Sequence, residues 1–242
     1  MVITSLNNEY IKEVNKLHQK KYRDESKKFI IEGDHLVSEA YKSGYLKEII
    51  TLEDNFVKYD DIKTTYVTKD VMDKISEQIS SSNIIGICSY IENTNISNNC
   101  IMLDALQDPG NLGTIIRSAA AFNYDVILGD NTVDIYNSKV IRSTEGMIFH
   151  INFIKSNLLD FINKHDDYKF YIADMNKGFD VKDISDNSLN GIIVGNEGNG
   201  ISDDIRNLDL DYVHIKQSSK CESLNVGVAA SIIMHELGDI NE

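Results

Sequence analysis

From residue 100 onward the sequence alternates short apolar runs with helical stretches, and this alternation limits the fold more than any other feature. The runs at 100–106, 124–128, 148–154, 169–173, 191–195 and 212–215 read as strands. Helical spacing separates them, from Asn111 to Phe122, around 139–144 and over 157–165. Strands joined by helices predict a parallel sheet with both faces covered. The first ninety residues follow the same habit on a smaller scale: a helix over 5–24, strands at 29–32, 46–52, 65–67 and 83–91, a helix over 35–42, and a short helix that Asp70 caps. Residues 92–99 are Asn-rich and polar, with no apolar period, and so read as a linker. An α/β chain in two domains is therefore expected, residues 1–95 and 96–242.

The bulk charge argues against one obvious class of partner. Lys and Arg total 24 against 38 Asp and Glu, a formal net charge of −14. Nucleic acid favours basic surfaces. The average hides an asymmetry, because Lys12, Lys16, Lys20, Lys21, Arg23, Lys27 and Lys28 crowd one segment against Glu13, Asp24 and Glu25, with Tyr22 and Phe29 interleaved. That segment is either an RNA-contacting face or the solvated side of an amphipathic helix, and composition does not separate the two. No apolar run approaches the ~20 residues that span a bilayer, and the first residues lack a basic segment followed by an apolar one. Cys88, Cys100 and Cys221 are odd in number and lack metal-type spacing, as expected of a reduced cytoplasmic protein with neither disulfides nor a bound metal.

Three stretches carry chemistry. In the first, a strand runs into a turn holding Pro109, the sole proline, and Gly110; a helix then starts at Asn111. On that helix Arg117 stands among Ile115, Ile116, Ala119 and Ala120, either as a structural ion pair or as a phosphate ligand. In the second, Gly195, Gly198 and Gly200 follow a buried strand, with Asn196 and Glu197 between them. The spacing is neither a dinucleotide fingerprint nor a phosphate loop. The third runs from the strand at 212–215 through Lys216 and Gln217 to Glu222, then into a helix of small and apolar residues whose first turn carries Ser223 and Asn225. Polar residues at the junction of strand ends and helix starts are where α/β sheets bind ligands.

Together, 111–119, 194–201 and 215 with 222–230 resemble the three motifs of the SpoU/TrmH family of RNA ribose 2′-O-methyltransferases, within the SPOUT superfamily. Residues 29–40 look like the small, ribosomal-protein-like α/β RNA-binding domain that often precedes the catalytic one. The resemblance implies a deep trefoil knot in the C-terminal domain, a homodimer, and S-adenosylmethionine held by three loops. Carried over, Gly195, Asn196, Ile215, Gln217 and Leu224 would line the cofactor pocket. Asn111, Arg117, Glu197, Ser223 and Asn225 would form the catalytic group, with Arg117 either removing the ribose hydroxyl proton or stabilising the forming alkoxide, and Glu197 orienting Arg117. A guanidinium rarely gives up its proton, which favours the electrostatic role. Lys20, Lys21, Arg23, Lys27, Lys28 and Arg142 are the RNA-contact candidates, while His150 reads as a structural residue on a strand. Ribosomal RNA is the first expectation for substrate; transfer RNA, or a catalytically silent RNA-binding protein on the same fold, are the alternatives. The family's Ile-Pro-Met at the third motif is Ile215-Lys216-Gln217 here.

Overall fold

The computed structural model describes residues 2–78, 80–92, 95–184 and 188–238. Contacts divide the chain into two compact units, one over Met1–Glu92 and Asp134–Phe149, the other over Asn93–Val133 and His150–Glu242. The first unit thus includes a segment that returns from the second half of the sequence.

Five strands form the sheet of the first unit: β1 (Val2–Ile3), β2 (Lys28–Glu32), β3 (Leu46–Leu52), β4 (Lys63–Val67) and β5 (Ile84–Ser89). Their order is β1-β4-β3-β5-β2. β1 and β3 run parallel to β4, whereas β5 runs antiparallel to β3 and β2, so this sheet is mixed. Helices α1 (Glu9–Lys16), α2 (Lys20–Ser26), α3 (Asp34–Lys42) and α4 (Lys69–Ile75) flank it. Ile11, Val14 and Leu17 join Ile50, Met72 and Ile75 in one apolar core.

The expected helix over 5–24 is two helices. The chain leaves α1 at Leu17, and Gln19 is extended (φ −97°, ψ 130°) without a side-chain cap. Arg23 compensates for the break: its Nη1 donates to the carbonyls of Leu17 (2.9 Å) and His18 (2.7 Å), and its Nη2 pairs with Asp134 at 2.6 Å. The returning segment supplies Tyr136, which stacks on Tyr90 at 4.0 Å, accepts from the Ile91 N–H and donates to the Ile91 carbonyl, and it carries α6 (Ser138–Ser143).

In the second unit seven strands, β6 (Cys100–Leu103), β7 (Asp125–Leu128), β8 (Phe153–Lys155), β9 (Tyr168–Ala173), β10 (Phe179–Asp180), β11 (Leu189–Val194) and β12 (Asp211–His214), lie in the order β10-β12-β9-β11-β6-β7-β8. Every pairing is parallel, as the alternation predicts. Strands β6, β7 and β11 are apolar and buried almost throughout because helices cover both faces. Each fully buried Ile or Leu there contributes roughly 1.5–3 kcal/mol, so the strands hold a rigid platform and leave their terminal loops free for chemistry. The helices are α5 (Pro109–Ala121), α7 (Leu158–Lys164), α8 (Asp203–Arg206) and α9 (Val226–Leu237).

The expected strand over 148–154 is corrected. Glu145 (φ 49°) and Gly146 (φ 84°) turn the chain, Met147–His150 forms one tight helical turn, and only Phe153–Lys155 extends. His150 therefore sits in that turn, exposed, and not on a strand. The small residues of α5 and α9 are used within the chain: Ser118 Oγ lies 2.7 Å from Ser231 Oγ, and a Cβ on Gly227 would stand 3.3 Å from Thr114. They pack one helix on the other, so they give no independent support for a second copy. Cys88 and Cys100 are buried and Cys221 is exposed, none of them in a disulfide. Among the described residues no helix is long and apolar enough to cross a membrane, and no group of three or more His, Cys, Asp or Glu is placed to hold a metal ion.

Candidate active site

Parallel strands end on one edge of the sheet, and three of the loops leaving that edge meet. The loop after β6 leads into α5, the loop after β11 carries the three glycines, and the loop after β12 leads into α9. Asp108 caps α5 by accepting from the Asn111 N–H at 2.8 Å, with Pro109 in the first helical position, where its missing N–H costs nothing.

Glu197 links the first two loops. Its Oε1 accepts from the Asp108 N–H (3.0 Å) and from Asn111 Nδ2 (3.0 Å), and its Oε2 from the Gln107 N–H (3.2 Å). Two of these donors lie at the amino end of α5, where a negative charge is favoured. Partial burial raises the Glu197 carboxyl, but the Asn111 amide and the surrounding backbone N–H groups outweigh it and hold the group below its ordinary range. The third loop joins through Asn225, whose Nδ2 donates to Asn111 Oδ1 at 2.9 Å while its own Oδ1 caps α9 by accepting from the N–H groups of Gly227 and Val228. Asn225 is thus the cap of α9 and not part of its first turn, and Ser223 lies in the loop before it. An unbroken polar chain, Glu197–Asn111–Asn225, ties the three motifs together.

The glycine loop is closed by its own backbone and by Asn196. Asn196 and Gly200 exchange two N–H···O bonds of 2.9 Å. Asn196 Oδ1 accepts from Gly198 and Asn199, and its Nδ2 donates to the Ala105 carbonyl at 2.9 Å. Gly195 is obligatory, since a Cβ there would stand 2.3 Å from the Gly200 carbonyl carbon and 2.5 Å from the Ile201 nitrogen.

The loops after β11 and β12, together with the one after β9, line a cavity of about 820 Å³, and the loop after β6 braces them from outside through Asn111. All five expected cofactor residues line it, Gly195, Asn196, Ile215, Gln217 and Leu224, and so do Glu197, Ser223 and Asn225. Asp174, Met175, Lys177 and Arg206 line it too. The sequence reading passed over them, although Asp174 directly follows β9, and the same strand-end rule that flagged the other loops applied to it. The residues suit S-adenosylmethionine. Ile215 and Leu224 offer aliphatic surface to an adenine, and the Gln217 Oε1 is buried without a hydrogen-bond partner among the described residues, an acceptor awaiting a donor.

One expected pairing is absent. Glu197 does not orient Arg117; it is engaged by Asn111 and the amino end of α5. Arg117 is exposed on α5, does not line the cavity, and has no hydrogen bond or ion pair among the described residues. Arg23, expected on an open basic face, is instead 5% exposed and locked to Asp134 and two carbonyls. The other basic candidates are mostly committed: Lys20 pairs with Asp24, Lys28 with Glu48, Lys27 sits over the Tyr90 ring and Lys21 over Tyr22. Arg142 is half-buried, its Nη1 without a partner among the described residues.

Residues 98–235 match the SpoU rRNA Methylase family, and residues 8–86 match the MRM3-like substrate binding domain. The chain is 36% identical, over 97% of its length and 98% of the relative's, to the 23S rRNA (guanosine(2553)-2′-O)-methyltransferase RlmP of Bacillus subtilis. An AdoMet-bound rRNA methyltransferase from Sinorhizobium meliloti superposes with a TM-score of 0.85 at 26% identity, covering 98% of this chain and 96% of that one. The AdoMet complex of the SpoU methyltransferase AviRb from Streptomyces viridochromogenes superposes at 0.84 over 95% and 97% with 20% identity, a likeness of fold alone. On its three converging motifs and these matches, the chain belongs to the SpoU rRNA methylase family.

Proposed function

We propose that this chain transfers a methyl group from S-adenosylmethionine to a ribose 2′-hydroxyl of ribosomal RNA. The observation that carries the reading is the Glu197–Asn111–Asn225 chain, which ties three strand-end loops together at the cavity that Glu197, Asn225 and the side-chain-free Gly195 line. The cofactor supplies a methyl already activated by a sulfonium, so the protein need provide neither a metal nor a covalent nucleophile. Its own task is placement and charge. Gly195, Ile215 and Leu224 shape the pocket, and Gln217 and Asn196 fix its polar edge. Asn111, Glu197 and Asn225 hold the loop geometry, with Ser223 at the mouth. Holding the hydroxyl in line with the methyl removes much of the entropic cost of the reaction.

Arg117 stabilises the forming alkoxide and holds a phosphate, since a guanidinium rarely gives up the proton it carries, and the hydroxyl proton passes to solvent water. Being exposed and unpaired, it is free to meet RNA as RNA docks. Residues 1–95 select the RNA and residues 96–242 carry the reaction. The same reading includes a homodimer, the threading of the C-terminal segment into a knot, and a cytoplasmic location; Arg142 remains an RNA contact within it.

The test is methyl transfer from labelled S-adenosylmethionine to ribosomal RNA of a strain lacking the gene, followed by ribose-methylation mapping. One newly methylated nucleotide in ribosomal RNA is expected. Label in transfer RNA alone would move the substrate, and label in neither, with the cofactor bound, would leave an RNA-binding protein without activity.

A further inference from the structure

The first unit holds a second cavity, about 480 Å³, between α1, α2 and the sheet. Its floor is aliphatic, from Val14, Leu17 and Ile87, and two rings, Tyr10 and Tyr22, border it. Lys16 lies 5.6 Å from the Tyr22 centroid and Lys63 5.2 Å from that of Tyr10. Glu48, 16% exposed, accepts from Tyr10 (3.1 Å), Lys63 (2.8 Å) and Lys28 (3.4 Å).

The charges decide what fits. Three lysines, Lys16, Lys28 and Lys63, face three glutamates, Glu13, Glu25 and Glu48, so the cavity is balanced and does not attract a phosphate. In the surrounding basic segment Lys12, Lys16, Lys20 and Lys28 sit in ion pairs, and of the exposed lysines there only Lys21 and Lys27, each over a tyrosine ring, have no carboxylate partner among the described residues. What remains is two rings over an apolar floor with one carboxylate acceptor; the ammonium groups now over the rings, Lys16 and Lys21 on Tyr22 and Lys63 on Tyr10, sit on flexible stems that a stacked base would displace. Those are the elements that take an unpaired base, by stacking and by hydrogen bonds to its donor edge. A carboxylate offers about four acceptor positions; three are occupied, one of them by the long and displaceable bond from Lys28.

We propose that this cavity receives one unpaired purine of the RNA substrate, stacked on Tyr22 and Tyr10, with Glu48 accepting from its N–H edge; guanine, with adjacent N1–H and N2–H donors, fits best. The proposal rests on the RNA-substrate reading above and adds a single-base contact remote in sequence from the methyl-transfer motifs.

The test uses the full chain with GMP, AMP, CMP and UMP, and with two short single-stranded oligonucleotides, one carrying a central guanosine and one an abasic site in its place. GMP and the guanosine oligonucleotide bind, and the abasic one binds at least about tenfold more weakly. Tyr22→Ala, at a half-buried position, loses affinity for GMP and the guanosine oligonucleotide about tenfold while Tyr22→Trp retains it. Thermal midpoint and affinity for S-adenosylmethionine stay unchanged in both variants, which separates a lost contact from a misfolded unit. Unchanged affinity in Tyr22→Ala overturns the proposal even if ribosomal RNA is methylated. Binding of GMP without the guanosine oligonucleotide also overturns it, since the site then serves a free nucleotide. Tyr22-dependent binding in a chain that transfers no methyl upholds the pocket and sinks the catalytic reading alone.

Discussion

The two sheets of this protein place their working surfaces by different rules. In the second unit all seven strands run the same way, so every strand-end loop leaves on one edge, and those after β9, β11 and β12 line the cavity. The first unit reverses direction at β5, so its loops divide between two edges, and its cavity lies under helices α1 and α2. Parallel order gathers distant sequence into one backbone-lined site; mixed order leaves recognition to side chains on a helical flank. The first arrangement depends on backbone geometry and tolerates no added atoms, whereas the second depends on rings and ion pairs.

Four substitutions press on that contrast. Arg23→Ala carries the largest expected effect. Removing one partner from a mostly buried ion pair costs about 3 kcal/mol, so thermal unfolding should begin several degrees lower while cofactor affinity holds. A parallel loss of cofactor affinity would mean that the two units do not behave separately. Arg117→Ala should lower turnover about 10²–10³-fold, the scale of losing one oxyanion-stabilising donor, with cofactor binding by calorimetry unchanged. Turnover at the parental rate removes Arg117 from the mechanism.

Gly195→Ala comes next. Its methyl would meet backbone at 2.3 Å, and such overpacking costs typically about 1–3 kcal/mol, which predicts about tenfold or weaker cofactor binding without loss of fold. If calorimetry finds no change, the loop has slack and the backbone-site argument is wrong.

The smallest effect belongs to Glu197→Gln. The Glu197 carboxyl is held low in the folded chain, so the stabilisation it brings is present above its unfolded pKa and fades as the pH falls through the folded value. Cofactor affinity of the parent should decline on that acid side, and the glutamine variant should start lower and lack that acid limb. Identical acid profiles would show that another group sets it.

Much of the second unit was legible because its signals are local. Apolar runs and helical spacing gave strand after strand, and the polar residues at their ends marked the cavity. The errors have a common physical origin in partners far away in sequence. Arg23 looked like one more surface cation, yet its carboxylate partner lies 111 residues on, and no local pattern announces such a pair. Glu197 looked like a partner for Arg117 because unlike charges suggest pairing; the unsatisfied N–H groups at the start of α5 were the better partners, and only the folded geometry brings them near. At 148–154 alternating apolar residues imitated a strand, but Glu145 and Gly146 impose two left-handed residues just before it. Of that turn, only the glycine is visible as a sequence signal.

The Asn111 amide carries a further consequence. It donates to Glu197 and accepts from Asn225, so the link between the three motifs is complete only when all three are in place. A ribosome synthesising this protein would hold a chain with no usable pocket until residue 225 had left the exit tunnel. Competence thus arrives late and all at once, and a truncated product, however well its sheet had formed, would be unable to sequester the methyl donor.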